Sequence, residues 1–136
     1  MLPISVPPAV VLLGPFYAII APIVAAYLLT ILIWCFLTFD QLVRLEYSDY
    51  RPLWDKDGQP HGIFWFAPEQ RKVFGISLRN QWAFSRVNLV WLSSTPTWMK
   101  ENTQAVRLVH RLRILALLWN GSLLLFIIMI VVLGSR

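Results

Sequence analysis

Residues 104–136, QAVRLVHRLRILALLWNGSLLLFIIMIVVLGSR, combine a basic front with a long apolar run. The basic part ends at Arg113, and residues 114–133 contain no charged side chain. An α-helix needs about 20 residues of this kind to cross a bilayer, and the run supplies them. The stretch therefore predicts a helix that enters a membrane with its arginines at the boundary.

A second apolar block opens the chain. Residues 1–39 contain no charged side chain, and Asp40 marks the end of the block. Pro8 suits the first turn of a helix, whereas Pro15 and Pro22 fall inside the block, where a proline kinks or breaks a helix. A cleaved signal peptide is the alternative, but it would need Lys or Arg before an apolar core of about 7–15 residues. We therefore expect an uncleaved first transmembrane helix that starts near Pro8.

The composition is that of a membrane protein. Apolar residues make up 57% of the chain and charged residues only 14%, whereas a soluble domain carries about a quarter charged residues. We predict an all-α membrane protein in which two transmembrane helices form a hairpin, with a cytoplasmic helical and aromatic cap between them. Residues 1–39 would hold the N-terminal tail and first transmembrane helix, residues 40–95 the cap, and residues 96–136 a basic amphipathic helix that continues into the second transmembrane helix.

Positive charge is concentrated between the two apolar blocks. Of the 12 Lys and Arg residues, all except Arg136 lie within residues 40–113. Positively charged segments next to spans stay in the cytoplasm. We therefore expect the middle segment to be cytoplasmic, with both termini on the opposite side of a bacterial inner membrane. This orientation signal accounts for the net charge of +5, and nucleic-acid binding is not predicted.

The middle segment alternates polar, turn-forming and aromatic residues. Pro52 is expected to end a helix that leaves the first span with Asp40, Arg44 and Glu46 on its polar surface. Asp57 and the following glycine favour a tight turn. Residues 63–66, IFWF, are either a short strand or an aromatic plug at the membrane surface.

Residues 76–94 place apolar side chains on two opposite faces of a predicted helix. Such a helix is usually covered on both faces, here by the hairpin or bilayer on one face and by a partner protein on the other. The alternative is an interfacial helix half sunk in lipid. The aromatic residues expected to contact lipid or a partner are Phe64, Trp65, Phe66, Trp82, Phe84 and Trp91.

Small and polar residues mark both spans as helix-packing elements. In the first span small residues recur at helical spacing, which lets another helix approach closely, although ordinary alanine usage explains the pattern equally well. In the second span the amide of Asn120 is expected to hydrogen-bond to the first span, for example to Thr30. The predicted helix-packing residues are Gly14, Ala18, Ala21, Ala25, Asn120, Gly121 and Ser122.

Thr95 and Pro96 are typical of the cap and first residue of a helix, and this helix is expected to run unbroken into the second span. Its cations form a stripe beneath the inner leaflet, where each charge contributes about 1 kcal/mol of attraction to anionic phospholipid. An acidic partner or a lipid head-group pocket is the alternative. The predicted contact residues are Lys100, Arg107, Arg111 and Arg113.

Side chains that could carry catalysis are few. His61 and His110 are the only histidines. Either could ligate haem or a pigment metal, with His110 the cofactor candidate at the membrane edge, although polar surface is the more ordinary role. Cys35 is the only cysteine, so it makes no internal disulfide. Phosphate-binding loops, zinc-ligand clusters and nucleophile elbows are lacking. We therefore predict neither an enzyme nor a bound cofactor or metal.

The layout and three short motifs resemble universal stress protein B and related small proteobacterial membrane proteins. The motifs are DGQP at residues 57–60, the aromatic run at residues 63–66 and RLVHRLRI at residues 107–114. In that family an N-terminal span, a cytoplasmic segment and an Arg-rich helix precede a C-terminal span. The resemblance implies the hairpin topology but neither a reaction nor a cofactor. This chain departs in its longer, proline-bearing first span and its longer middle segment.

The leading functional hypothesis is a non-catalytic accessory or stabilising subunit. It would pack against other integral membrane subunits of a larger respiratory, photosynthetic or secretion complex. The small-residue positions, the helix with two apolar faces and the seven tryptophans favour this hypothesis. The alternative is a self-associating stress-response or pore-type membrane protein that forms a homo-oligomer.

Overall fold

The structure is a computed structural model that describes the backbone of residues 8–70 and 78–134 and the side chains of residues 18–70 and 80–132. The described chain is all-helical, as predicted, and contains no strand. Residues 63–66 form an irregular loop, so the strand interpretation of IFWF is wrong. The helices are α1 (Pro8–Asp49), α2 (Arg51–Lys56), α3 (Leu78–Ser93), α4 (Thr97–Glu101) and α5 (Thr103–Gly134).

The first helix already includes Pro8, the first described residue, and is longer than a membrane span requires. α1 has 42 residues and continues through Pro15 and Pro22, so these prolines do not break it. At 1.5 Å per residue it extends about 63 Å, against about 30 Å for the hydrocarbon core. Its last turns therefore extend beyond a bilayer. α1 ends at Asp49, and Pro52 belongs instead to the first turn of α2, where a proline is tolerated.

The predicted unbroken helix from residue 96 into the second span is wrong, because it is interrupted at Asn102. This residue adopts an extended conformation with φ −113° and ψ 108°. Its side-chain oxygen accepts hydrogen bonds from the backbone N–H groups of Gln104 at 2.9 Å and Ala105 at 3.1 Å. Asn102 is therefore the N-cap of α5. The expected cap, Thr95, precedes α4 instead, and the residue next to α4 is Pro96, which makes no side-chain cap.

α1 and α5 pack antiparallel as a hairpin, and both are long and apolar enough to cross a membrane. The buried core occupies one end of the hairpin only. It joins the last turns of α1 to the first turns of α5, and α3 and α4 cover it. Its buried members are Phe39, Leu42, Val43, Leu45, Val87, Trp91, Trp98, Met99, Ala105, Val109 and Leu112. Burying each large aliphatic side chain contributes about 1.5–3 kcal/mol to folding.

This distribution divides the described molecule into two regions. We call residues 38–70 and 80–113 the head, and the charge-free residues 18–37 and 114–132 the stem. Among the described stem residues only Ile31 is buried, at 8% exposure. The remaining stem side chains point at least partly outward, while the head folds around its own core.

Candidate functional site

The aromatic loop at residues 62–66 is held at the end of the stem by Asp40. The Asp40 carboxylate accepts three backbone N–H groups, from Ile63 at 2.5 Å, Phe64 at 2.8 Å and Trp65 at 2.9 Å. Three donors satisfy a carboxylate that is only 7% exposed. A Cβ atom at Gly62 would collide with the same carboxylate, so this position requires glycine. Asp40 was expected at the polar surface, and that expectation is wrong.

The far end of the same loop is tied to α2 and to the last turns of α1. The carboxylate of Glu69 accepts hydrogen bonds from Arg51 at 2.6 Å and from the hydroxyl of Tyr47. These bonds lower the pKa of Glu69, with the Arg51 bond as the main cause. The loop is therefore held by Asp40 at one end and by these bonds just beyond its other end.

The predicted turn at Asp57 and Gly58 is confirmed, with a φ of +91° at the glycine.

One of the three loop aromatics is exposed, and the other two are half-buried. Phe64 is 58% exposed and touches Phe36 of the stem edge-on, at 6.2 Å between ring centroids. Trp65 packs against Tyr47, and Phe66 stacks on His61. Phe64 is therefore the most outward of the three, and the expected contact of these aromatics with lipid or a partner stays a prediction.

His61 is a packing residue between two rings. Its imidazole stacks on Phe66 and Phe84, with centroid distances of 5.4 and 5.3 Å, and its Nδ1 lies 2.6 Å from the Gly62 carbonyl. Its Nε2 is buried without a hydrogen-bond partner. His110 is exposed on α5. Within residues 18–70 and 80–132, no three His, Cys, Asp or Glu side chains are grouped so that they could hold a metal ion.

α3 is apolar on two faces, as the sequence indicated, and the described chain covers only one of them. Phe84 and Trp91 lie against Phe39, at 5.1 and 5.3 Å between ring centroids. Trp91 therefore belongs to the core, which leaves it no contact with lipid or a partner, whereas Phe84 is half-buried and packs against the core. On the opposite face Trp82 is 77% exposed and Leu89 is 70% exposed.

An open groove of about 760 Å³ runs between this outer face of α3 and the turn after α2. Trp82, Leu89 and Val90 supply its apolar lining. At its edge Arg86 donates to the backbone carbonyl of Asp57 at 3.0 Å and lies 3.5 Å from the Asp57 carboxylate. The groove is thus an apolar surface with the Arg86–Asp57 ion pair and the exposed Lys56 at its edge.

The four predicted cations separate into different environments. Arg107 and Arg111 are exposed on α5, and the Arg111 guanidinium lies 4.8 Å from the centre of the Trp34 ring. Arg113 is half-buried and donates from Nε to the Trp91 carbonyl at 3.0 Å, so it ties α5 to α3. Lys100 is exposed on α4, beyond the interruption at residue 102.

Glu46 is a buried carboxyl group that the sequence analysis placed on the polar surface. It is fully buried, and neither of its oxygens has a hydrogen-bond partner. Burial, together with the nearby Asp57 carboxylate, raises the pKa of Glu46 to about 8. The sequence contained a signal for the burial of Glu46, because positions 39, 42, 43 and 46 share one helix face and the first three are core residues.

The predicted packing residues of the stem do not meet each other. The hydroxyl of Thr30 donates to the Ala26 carbonyl at 2.8 Å, and the amide of Asn120 donates to the Ala116 carbonyl at 2.7 Å. The expected bond between the two spans is therefore absent, because each group bonds within its own helix. Gly121 has open space around it, and Ser122 is half-buried.

The small-residue face of the first span points outward where it is described. Ala18, Ala21 and Ala25 are exposed, and the side-chain position of Gly14 lies outside the described residues. The small-residue face thus lies on the surface of the described chain.

A separate cleft of about 180 Å³ lies between α1, α3 and α5, and its wall includes Cys35, Asn88 and Asn120.

In comparisons with known proteins, no protein family, no curated protein and no solved structure matches the chain. The resemblance to universal stress protein B therefore stays a prediction.

Proposed function

We propose that the protein is an integral membrane hairpin that acts as a non-catalytic accessory or stabilising subunit of a larger membrane complex. The stem would cross the membrane twice. The head would lie in the cytoplasm, because nearly all of the positive charge lies between the spans. A bacterial inner membrane fits this charge distribution and the resemblance noted above.

One observation carries the proposal: the stem leaves nearly all of its side chains unburied, and its small-residue face points outward. Lipid alone can cover leucine and isoleucine. Alanines that share one helix face let the backbone of another helix approach closely, and this close packing drives helix association in membranes. The face formed by Ala18, Ala21 and Ala25 is therefore suited to a second membrane protein.

The head supports the same proposal by what it leaves uncovered. Its core is covered within the chain and its aromatic loop is anchored there, yet Trp82 and Leu89 remain exposed on α3. Exposed apolar patches of this kind mark interaction sites. The stem face and the outer face of α3 would together hold the subunit against its complex.

Extraction of native membranes in mild detergent, followed by native mass spectrometry, tests the proposal. We expect stoichiometric recovery of other integral membrane subunits. Recovery of the lone chain would overturn the accessory role. Recovery of a homo-oligomer would favour the alternative, a self-associating stress-response or pore-type protein, since the same alanine face serves self-association equally well.

Cysteine labelling tests the orientation. With Cys35 replaced by Ser, a cysteine introduced at the exposed Lys56 should react with a membrane-impermeant maleimide only after the inner membrane is opened. A cysteine introduced at Arg136 should react in intact spheroplasts. The reverse pattern would contradict the proposed cytoplasmic head.

A further inference from the structure

A second groove lies on α5, where the head meets the stem. It has a volume of about 370 Å³ and is open to the surface. Its lining is formed by Val106, Arg107, His110, Arg111, Ile114 and Leu115. On the side of the head the groove carries the cations Arg107 and Arg111. On the side of the stem it is lined by Ile114 and Leu115, where the charge-free run begins.

The cations of this groove are not neutralised within the chain. No described acidic side chain lies within ion-pair distance of Arg107 or Arg111, whereas Arg51 and Arg86 each have a carboxylate partner. The only described hydrogen bond of Arg107 is a long one, 3.4 Å, from Nε to the Thr103 carbonyl. Its terminal guanidinium nitrogens therefore keep their donors for an external acceptor.

Trp34 of α1 fixes the position of one of these cations. The Arg111 guanidinium lies over its ring at 4.8 Å, which is within the range of cation–π attraction. Because Trp34 belongs to the stem, the interaction keeps the positive charge next to the apolar surface instead of letting it extend into water. The imidazole of His110 adds a hydrogen-bond donor or acceptor one turn along the same groove.

We propose that this groove binds the phosphodiester group of an anionic phospholipid, with an acyl chain along Ile114 and Leu115. Arg107 and Arg111 would donate to the phosphate oxygens, since guanidinium groups bind phosphate with paired hydrogen bonds. Free inorganic phosphate carries the same chemistry, but it would leave the aliphatic half of the groove uncovered. The inference rests on the proposed insertion of the stem in a membrane.

Native mass spectrometry of the full chain in detergent, with equal amounts of palmitoyl-oleoyl phosphatidylglycerol and phosphatidylcholine, tests it. We expect the wild-type chain to retain phosphatidylglycerol about ten-fold over phosphatidylcholine. The double variant Arg107→Gln/Arg111→Gln should lose this preference. The matched control Arg44→Gln/Lys56→Gln removes two exposed charges outside the groove and should keep it.

Three results would overturn the inference. One is a lipid preference that survives in Arg107→Gln/Arg111→Gln, and another is a preference that the control variant loses equally. The third is displacement of phosphatidylglycerol by excess inorganic phosphate, which would identify a site for small anions. Circular dichroism would show that each variant retains its helices.

Alkaline extraction of membranes separates this inference from the proposed function. A chain released by alkaline carbonate is not membrane-inserted, and both proposals then fail. A chain that stays in the membrane but shows no arginine-dependent lipid preference overturns the groove site alone.

Discussion

The head and the stem share the two long helices α1 and α5, yet side chains of the head pack within the chain whereas those of the stem face outward. In the head, α1 and α5 bury aromatic and aliphatic residues against α3 and α4. Even the charge of Asp40 is satisfied there by three backbone N–H groups. In the stem, the same helices leave their apolar side chains and alanines outward. The stability of the head should therefore depend on contacts within the chain, and that of the stem on its surroundings.

Asp40→Ala should have the largest effect on this contrast. Three partly buried N–H groups would lose a charged acceptor at once, and hydrogen bonds to charged groups contribute about 1.5–3 kcal/mol each. We expect the free energy of unfolding of the head to fall by about 3–5 kcal/mol, measured by tryptophan fluorescence during denaturation in detergent. Asp49→Ala removes an exposed carboxylate from the same helix and serves as the control. Wild-type stability of Asp40→Ala would show that Asp40 does not anchor the loop.

Glu46 should give the head a pH-dependent stability. The carboxyl ionises near its ordinary pKa when unfolded but only near pH 8 when folded. The unfolded chain therefore releases its proton first, and stability should fall as the pH rises from about 4.5 to 8, by at most about 1.4 kcal/mol per unit. Unfolding midpoints between pH 5 and pH 8 measure this slope. Glu46→Gln should flatten it, and an unchanged slope in the variant would contradict the assignment.

Asn102→Ala should have a smaller effect, at the start of α5. The substitution removes the side-chain acceptor for two N–H groups, and loss of an N-cap costs about 1 kcal/mol. The same denaturation experiment measures the loss, with Gln104→Ala, an exposed position in the first turn, for comparison. If both variants were equally stable, Asn102 would not act as a cap.

Asn120→Leu should leave the head unaffected, because the amide bonds only to its own helix. We expect a change within about 0.5 kcal/mol, as for other surface substitutions. A loss of several kcal/mol with the stem in lipid bilayers would instead indicate that Asn120 bonds to another helix.

The sequence was sufficient for features that depend on local patterns. The charge-free runs predicted the two long apolar helices, and Asp57 with Gly58 predicted the turn. The spacing of apolar residues on α3 predicted that the helix has two apolar faces, but not which of them packs on the core. Each of these features is encoded within a few helical turns or one short turn.

Features that depend on distant partners were not predictable in the same way. The donors to Asp40 lie more than 20 residues away, in a loop without regular structure. A carboxylate is ordinarily a surface residue, so Asp40 and Glu46 were expected on the polar face. Arg113 illustrates the same limit: it was expected to contact lipid or a partner because it lies at the end of the basic segment, but the position of α3 supplies it with a backbone carbonyl.

The most direct test of the contrast is a matched pair of substitutions in the stem, Ala25→Leu and Ala26→Leu. Both alanines are exposed on adjacent positions of α1, but only Ala25 lies on the small-residue face. Native mass spectrometry of the complexes extracted in mild detergent would be compared with tryptophan-monitored unfolding of each chain. We predict that Ala25→Leu loses its partner subunits, that Ala26→Leu retains them, and that the head of both unfolds as in the wild type. Equal recovery of partners by both variants, or loss of head stability in Ala25→Leu, would contradict the account.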